Sequence, residues 1–354
     1  MEIFKCKHCG NILYFENTSC VKCGYPLGFE TEQLQLFPVV DWQNGTYTLY
    51  NKPTKIYRYC INHQYNVCNW LVEEGSKTPY CKACDLNSTI PNLSQPDAIG
   101  HWHTIENAKH RLIYSLLKMK LPLMSKKEDR EKGLTFDFLA DLQGKPRVLT
   151  GHDNGLITLN IIEADDVERE KFRKAMKEPY RALIGHFRHE VGHYYWDRLI
   201  DNSKYLDECR VLFGDDRLDY AEALQKHYSQ GAPAYWNLHF ISSYASSHPW
   251  EDWAETWAHY LHIMDTLQTG YSFGLALHPQ IAEPADFMDI VEQDDPYKLI
   301  NFNQIIAKWL PMSIAMNSIN RSMGHTDLYP FVITAEVMKK LSFIHKVCYE
   351  SREV

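Results

Sequence analysis

The chain of 354 residues is long enough for roughly two or three modules and a sizeable core, and its 45% hydrophobic and 23% charged content suits a soluble globular protein. A formal net charge of −8 argues against a passive nucleic-acid binder, which carries a basic field, and the cysteine-rich N-terminal part is close to neutral as well. No stretch approaches about 18 uninterrupted apolar residues, and Cys6 and Cys9 leave no room for an apolar signal core. The expected setting is therefore soluble, reducing and cytoplasmic, away from membranes. Ten cysteines in that setting serve as metal ligands or free thiols more often than as disulfides.

Residues 1–28 form a compact unit with two C-x2-C knuckles, Cys6/Cys9 and Cys20/Cys23, each followed by a glycine that permits a tight turn with both sulfurs facing one ion. This spacing reads as a zinc ribbon. Residues 29–96 form a second cysteine-rich region, strand-rich over 30–58 and then carrying Cys60, Cys68, Cys81 and Cys84. Only Cys81/Cys84 is a true knuckle. The gap from Cys60 to Cys68 is long, so either the four cysteines hold a second structural zinc or His63 replaces one of them. Residues 89–96 have linker composition and close the metal-bound region.

The remaining span, 97–354, is expected to be one mostly helical domain with a small sheet. A helix fits 103–118, and the charged run 125–132 reads as a solvated loop. Short strands are expected at 134–139, 147–150 and 156–162, with Asp153-Asn154-Gly155 supplying the turn between the last two. The strand at 156–162 is also a candidate edge for pairing with an extended peptide. A charged helix fits 163–176. Pro179 then stands where the next helix could begin, since its missing N–H costs nothing in a first turn. Further helices fit 217–230, stopped by Gly231, then 249–265, within 296–322, and 334–351.

The chemistry concentrates in His189-Glu190-Val191-Gly192-His193. At i and i+4 on a helix, two imidazoles share one face and reach one metal ion, while Glu190 lies near the same centre. A catalytic zinc takes three protein ligands and leaves one position for water, so a third ligand must come from elsewhere. Metzincin spacing would place a glycine and a further histidine where this chain has Trp196 and Leu199, which removes that option. The best source is the later helix, where Glu251, Glu255 and His259 recur at i, i+4 steps in a segment dense in tryptophan. Burying such groups there is expensive without a cation or a hydrogen-bond network. Glu251 leads, with Asp252, Glu255 and His259 as alternatives. As a helix-start carboxylate it also has a purely structural use.

The segment Glu251-Asp252-Trp253-Ala254-Glu255-Thr256-Trp257 resembles the E-x-x-A-E-x-F helix of glutamate-liganded zincins of the anthrax lethal factor type. That resemblance implies that Glu251 is the third ligand of the catalytic zinc beside His189 and His193. It further implies that Glu255 supports a ligand and that Tyr244, seven residues before Glu251, assists at the transition state. Over nearly its whole length the chain is similar to the bacterial zinc-binding metallopeptidases that carry an N-terminal zinc ribbon. The shared wording includes the Cys6 and Cys20 knuckles, 68–72, 185–197, 213–215 and 248–262.

The expected architecture is thus α+β: zinc-ribbon modules followed by a mostly helical, zincin-like domain. The expected function is peptide hydrolysis by a water acidified on zinc, with Glu190 as general base, Tyr244 as oxyanion donor, and Glu255 and Asp197 orienting the ligand histidines. About three zinc ions are expected, one catalytic and two structural. The competing reading is a protein- or nucleic-acid-binding ribbon module on a zincin scaffold with little turnover. Simpler roles stand beside the sharper ones: His248 could replace Tyr244, Asp215, Asp216 and Asp219 suit a solvated helix face, His259 and His262 suit packing, and Cys209 and Cys348 suit buried thiols.

Overall fold

The computed structural model describes residues 2–141, 144, 146–176, 178–280, 288–291 and 294–352. In chain order its strands are β1 (Phe4–Lys5), β2 (Ile12–Leu13), β3 (Leu27–Glu30), β4 (Gln35–Asp41), β5 (Tyr47–Leu49), β6 (Lys52–Tyr59), β7 (Leu71–Glu73), β8 (Asn87–Thr89), β9 (Thr135–Leu139), β10 (Gly151–Asp153), β11 (Leu156–Asn160), β12 (Ala276–Leu277) and β13 (Ile290–Val291). Its α-helices are α1 (Ala98–Lys118), α2 (Asp166–Ala175), α3 (Leu183–Tyr195), α4 (Leu206–Phe213), α5 (Tyr220–Gln230), α6 (Pro249–Phe273), α7 (Phe302–Ser322) and α8 (Ala335–Glu350). The expected α+β class holds, with strands early and helices late. None of the described helices is long and apolar enough to cross a membrane.

Packing divides the chain into two units: Met1–Lys118 with Leu123–Arg169, and Met119–Pro122 with Glu170–Val354. This spatial division falls later than the boundary expected after residue 96. The reason is strand pairing, because β8, before that boundary, pairs in parallel with β9, after it.

The first unit contains the β1–β2 hairpin, an antiparallel sheet of order β3-β4-β5-β6-β7 and a mixed sheet of order β10-β11-β9-β8. Phe37, Val39, Leu49, Tyr57 and Leu71 form the core of the five-stranded sheet. Phe15, Phe29, Trp70 and Tyr114 cluster with ring centroids 4.6–6.2 Å apart, and Tyr114 brings α1 onto that cluster. Helix α1 starts at Ala98, five residues before the expected position, and Trp102, Ile105, Leu112, Ile113 and Leu116 form its buried stripe.

Two strand expectations change. The segment 147–150 is irregular, and the strand lies at 151–153, where Asp153 pairs with Leu156 across a tight Asn154-Gly155 turn. That register needs positive φ at both turn residues, 46° at Asn154 and 78° at Gly155, which a short polar residue and a glycine tolerate. Strand β11 is flanked by β10 and β9, so both its edges are paired and it cannot accept a peptide strand.

The second unit is built around α6. Trp253, Trp257, Tyr260, Leu261 and Met264 are fully buried along it. Trp257 stacks on Tyr195 of α3 at 4.9 Å, while Trp253 meets Phe213 of α4 at 5.5 Å and Phe343 of α8 at 6.3 Å. Helix α6 extends eight residues beyond the expected end, because its apolar pattern continues until Gly274 (φ 65°) closes it. Helix α3 begins at Leu183 after an extended Ala182, and not at Pro179. The intervening residues are used in packing: the Tyr180 ring lies 5.8 Å from His262 and 6.4 Å from Phe331. Two buried ion pairs cross this unit, Arg188–Asp265 at 2.5 Å and Lys340–Asp252 at 2.6 Å.

Candidate metal centre

Two small residues set the approach of α3 to α6. A Cβ on Gly192 would stand 3.0 Å from Ala254 Cα and 3.3 Å from Ala254 O, so only glycine allows this spacing without a shift. Trp253 Nε1 donates to Gly192 O at 2.8 Å and pins the crossing. Helix α6 opens on Pro249, with His248 Nδ1 accepting the Trp250 N–H at 3.1 Å. Together these contacts set Glu251 and Glu255, one turn apart, opposite His189 and His193, also one turn apart.

Glu251 Oε2 lies 3.1 Å from His189 Nε2 and 3.6 Å from His193 Nε2, and the two Nε2 atoms are 3.2 Å apart. Glu255 Oε1 lies 2.7 Å from His189 Nδ1. A carboxylate only accepts, so His189 Nδ1 carries a proton toward Glu255, and Nε2 is the nitrogen that faces Glu251 and His193. Ser242 Oγ donates to Glu255 Oε2 at 2.6 Å and Tyr220 OH donates to Glu251 Oε1 at 2.6 Å, so each carboxylate is held from behind.

Glu251 is 1% exposed, yet its Oε2 has no hydrogen-bond partner among the described residues. A buried carboxylate oxygen left without a donor is costly. A cation shared with the two imidazoles removes that cost, and two histidine nitrogens with one carboxylate oxygen are a donor set that suits zinc. The three donor atoms lie within 4.8 Å of one another. The residues therefore fit the ion.

Burial works to lower His189, but Glu251 and Glu255 outweigh it and hold the imidazole well above the usual histidine range. Burial works to raise Glu251, and the two imidazoles hold it well below the usual carboxylate range. Glu190 behaves differently. The residue is 8% exposed, and burial raises its carboxyl, with only partial offset from His189 and His193. Tyr244 has its ring centroid 6.0 Å from that of His189, and burial followed by the charge of Glu251 pushes its phenol upward, so it remains a proton donor. Tyr220 is pushed upward by the same two causes.

The other candidates separate by what they touch. Asp197 is exposed on the wide π turn Trp196–Ile200 that follows α3. His248 uses one ring nitrogen to cap α6 and has the other 3.1 Å from Leu218 O, which leaves it a structural residue. Asp215 and Asp216 pair with Arg217 and Arg210, and Asp219 caps α5, so this acidic trio is structural too. His259 Nδ1 meets Tyr329 OH at 2.8 Å, and His262 packs among Tyr180, Trp309 and Tyr329. Cys209 and Cys348 are buried thiols, and burial pushes Cys209 up to about 12. Tyr220 and Ser242 are the site residues that sequence reasoning missed. They stand 31 and 13 residues before their carboxylate partners, and no spacing rule links them to those partners.

The cysteines gather in two sets. Cys6 Sγ lies 3.8 Å from Cys23 Sγ, and Cys9 Sγ lies 3.6 Å from Cys20 Sγ. Gly10 and Gly24, at φ 76° and 74°, close the knuckles through N–H bonds back to Cys6 O and Cys20 O. Cys60, Cys68, Cys81 and Cys84 form the second set. His63 is not among them: its ring stacks on Tyr59 at 4.0 Å, and its Nδ1 lies 2.8 Å from Cys68 O.

A family model described as "Putative zinc-binding metallo-peptidase" matches residues 98–347, and a zinc-ribbon domain model matches residues 3–95. The chain belongs to this zinc-binding metallo-peptidase family. Uncharacterized proteins of Mycobacterium tuberculosis and Mycobacterium bovis are each 43% identical over 351 residues, covering 99% of this chain and 96% of theirs. No solved structure matches. In this member of the metallo-peptidase family, α3 and α6 both lie inside the peptidase span, and the two cysteine sets lie inside the ribbon span. Family and donor chemistry agree on zinc.

Proposed function

We propose that the protein is a zinc-dependent peptidase of the glutamate-liganded zincin type, acting on peptides or proteins in the cytoplasm. His189, His193 and Glu251 hold the ion. When bound, zinc supplies Lewis-acid polarisation of a carbonyl and acidifies water at neutral pH. Glu190 takes the proton of the attacking water on its carboxylate and delivers it to the leaving nitrogen, a role suited to a buried carboxyl on the same helix turn as the two imidazoles. Tyr244 donates its O–H to the oxygen that gains negative charge, a contact worth about 3 kcal/mol in comparable sites. Glu255 holds the His189 tautomer, and Ser242 and Tyr220 hold the two carboxylates. The cysteine sets hold structural zinc.

The observation that carries this reading is the unpartnered, buried Glu251 Oε2 between two imidazole nitrogens, one of them oriented from behind by Glu255. Replacing Glu190→Gln tests it. Zinc content should be unchanged, and cleavage of a peptide library should fall by about 10²–10⁴-fold, the span of a lost general base. Undiminished cleavage by that variant, or no cleavage of any peptide by the zinc-loaded wild type, would sink the proposal.

A further inference from the structure

The second cysteine set has one donor too many. Besides Cys60, Cys68, Cys81 and Cys84, the His110 ring from α1 reaches into it, with Nε2 at 3.4 Å from Cys68 Sγ, 3.8 Å from Cys84 Sγ and 4.0 Å from Cys81 Sγ. Cys68 and Cys81 are 3.7 Å apart. With zinc–sulfur near 2.3 Å and zinc–nitrogen near 2.0–2.1 Å, tetrahedral geometry sets neighbouring donors about 3.5–3.8 Å apart. The separation of Cys68 from Cys81 and those of His110 from the three sulfurs, 3.4–4.0 Å, approximate that spacing, while Cys60 Sγ accepts the Cys81 N–H at 3.4 Å.

The tautomer points the same way. His110 Nδ1 lies 2.6 Å from Glu106 O, and a carbonyl only accepts, so Nδ1 carries a proton and Nε2 is the nitrogen left to face the sulfurs. A ligating histidine characteristically gives its other N–H to a backbone carbonyl in this way. The ring is 3% exposed and is braced against Trp70 at 5.0 Å. Glu106 also approaches, with Oε2 at 3.9 Å from Cys84 Sγ, but its carboxylate is committed to Trp102, Asn87 and Lys109. It is a poor competitor for the ion.

Charge favours the histidine. Zinc with four thiolates leaves a net charge of about −2, against about −1 with three thiolates and a neutral imidazole. All five donors are buried, and buried charge without compensation is costly. The nearby cation, Lys109, is already paired with Glu106 at 2.9 Å.

We propose that Cys68, Cys81, Cys84 and His110 hold the second structural zinc and that Cys60 stays a thiol beside it. His110 lies beyond residues 3–95, in the span matched by the peptidase model, so this ion ties α1 to the cysteine-bearing segment. The site would close on a helix and not on a ribbon alone.

Cadmium-113 exchanged into the full-length protein yields one resonance per site, positioned by the number of sulfur ligands. We expect one four-sulfur resonance from the Cys6 set and a second, displaced upfield as three-sulfur, one-nitrogen sites are. The Cys60→Ala variant should leave the displaced resonance in place, and His110→Ala should move or abolish it. Two four-sulfur resonances in the wild type would overturn the proposal without recourse to any variant. So would loss of the second resonance in Cys60→Ala together with its retention in His110→Ala.

Discussion

Glu190 couples burial to function in a way that pH can read. Burial raises its carboxyl above the usual glutamate value of about 4.3. The working form of a general base is the ionised one, so kcat/KM is full above the raised pKa and is lost as pH falls through it. We expect the pH–rate profile to carry one acid limb from Glu190, and activity that stays flat down to the pH at which zinc is released would mean Glu190 is not the titrating base. The two tyrosines should separate in their effects. Tyr220→Phe removes the donor to Glu251 Oε1 and should weaken zinc affinity by about 10–100-fold, as loss of a ligand's supporting contact does. Tyr244→Phe should leave zinc affinity unchanged and lower kcat by about 10²–10³-fold. Metal titration and turnover measured on both variants check this pair, and the opposite pattern would exchange their roles. The His189/Glu190/His193 spacing was legible because it depends on one helical turn. Tyr220 was not, because only packing brings it to Glu251.

The crossing of α3 and α6 turns two helical stripes into one site, and Gly192 is where it can be broken. A Cβ there would meet backbone atoms of Ala254 and Trp257 Cβ at 3.2 Å, none of which can swing aside. Gly192→Ala gains up to about 1 kcal/mol of helix propensity but forces the helices apart, at a typical cost of about 1–3 kcal/mol. We expect a lower urea midpoint together with weakened zinc binding. A more stable variant with normal zinc affinity would show that close helix approach does not set the site. Element ends were legible where chemistry marks them, as at Gly231 (φ 77°), at Pro249 and at the Thr334 cap of α8. They were misplaced where packing overrides a local signal. Pro179 offers a helix start, but the residues after it serve as an extended packing segment, and the strand expected at 147–150 forms at 151–153, where the turn register permits pairing.

Across the whole molecule, metal content is the quantity that tests the organisation. About three zinc ions per chain are expected, falling to about two in His189→Ala. That variant should remain folded, because the second unit keeps the buried Trp253, Trp257 and Trp309 core. Elemental analysis and thermal unfolding decide it, and a wild type holding a single zinc that vanishes in His189→Ala would mean the cysteine sets bind none. The change of composition after residue 96 was visible in the chain. The spatial division was not, because the parallel pairing of β8 with β9 joins segments on either side of that boundary.

The amino-acid sequence alone determined the donor types and their local spacing: two cysteine sets, an i, i+4 histidine pair with a glutamate between, and a carboxylate-bearing helix. Those features depend on backbone geometry repeated over a few residues. Tertiary structure alone decided which distant groups meet. It set Glu251 against the two histidines, placed Tyr220 and Ser242 behind the carboxylates, enclosed β11 between two strands and brought His110 to the cysteines in place of His63. Such choices follow from side-chain packing between elements far apart in the chain, where spacing carries no information.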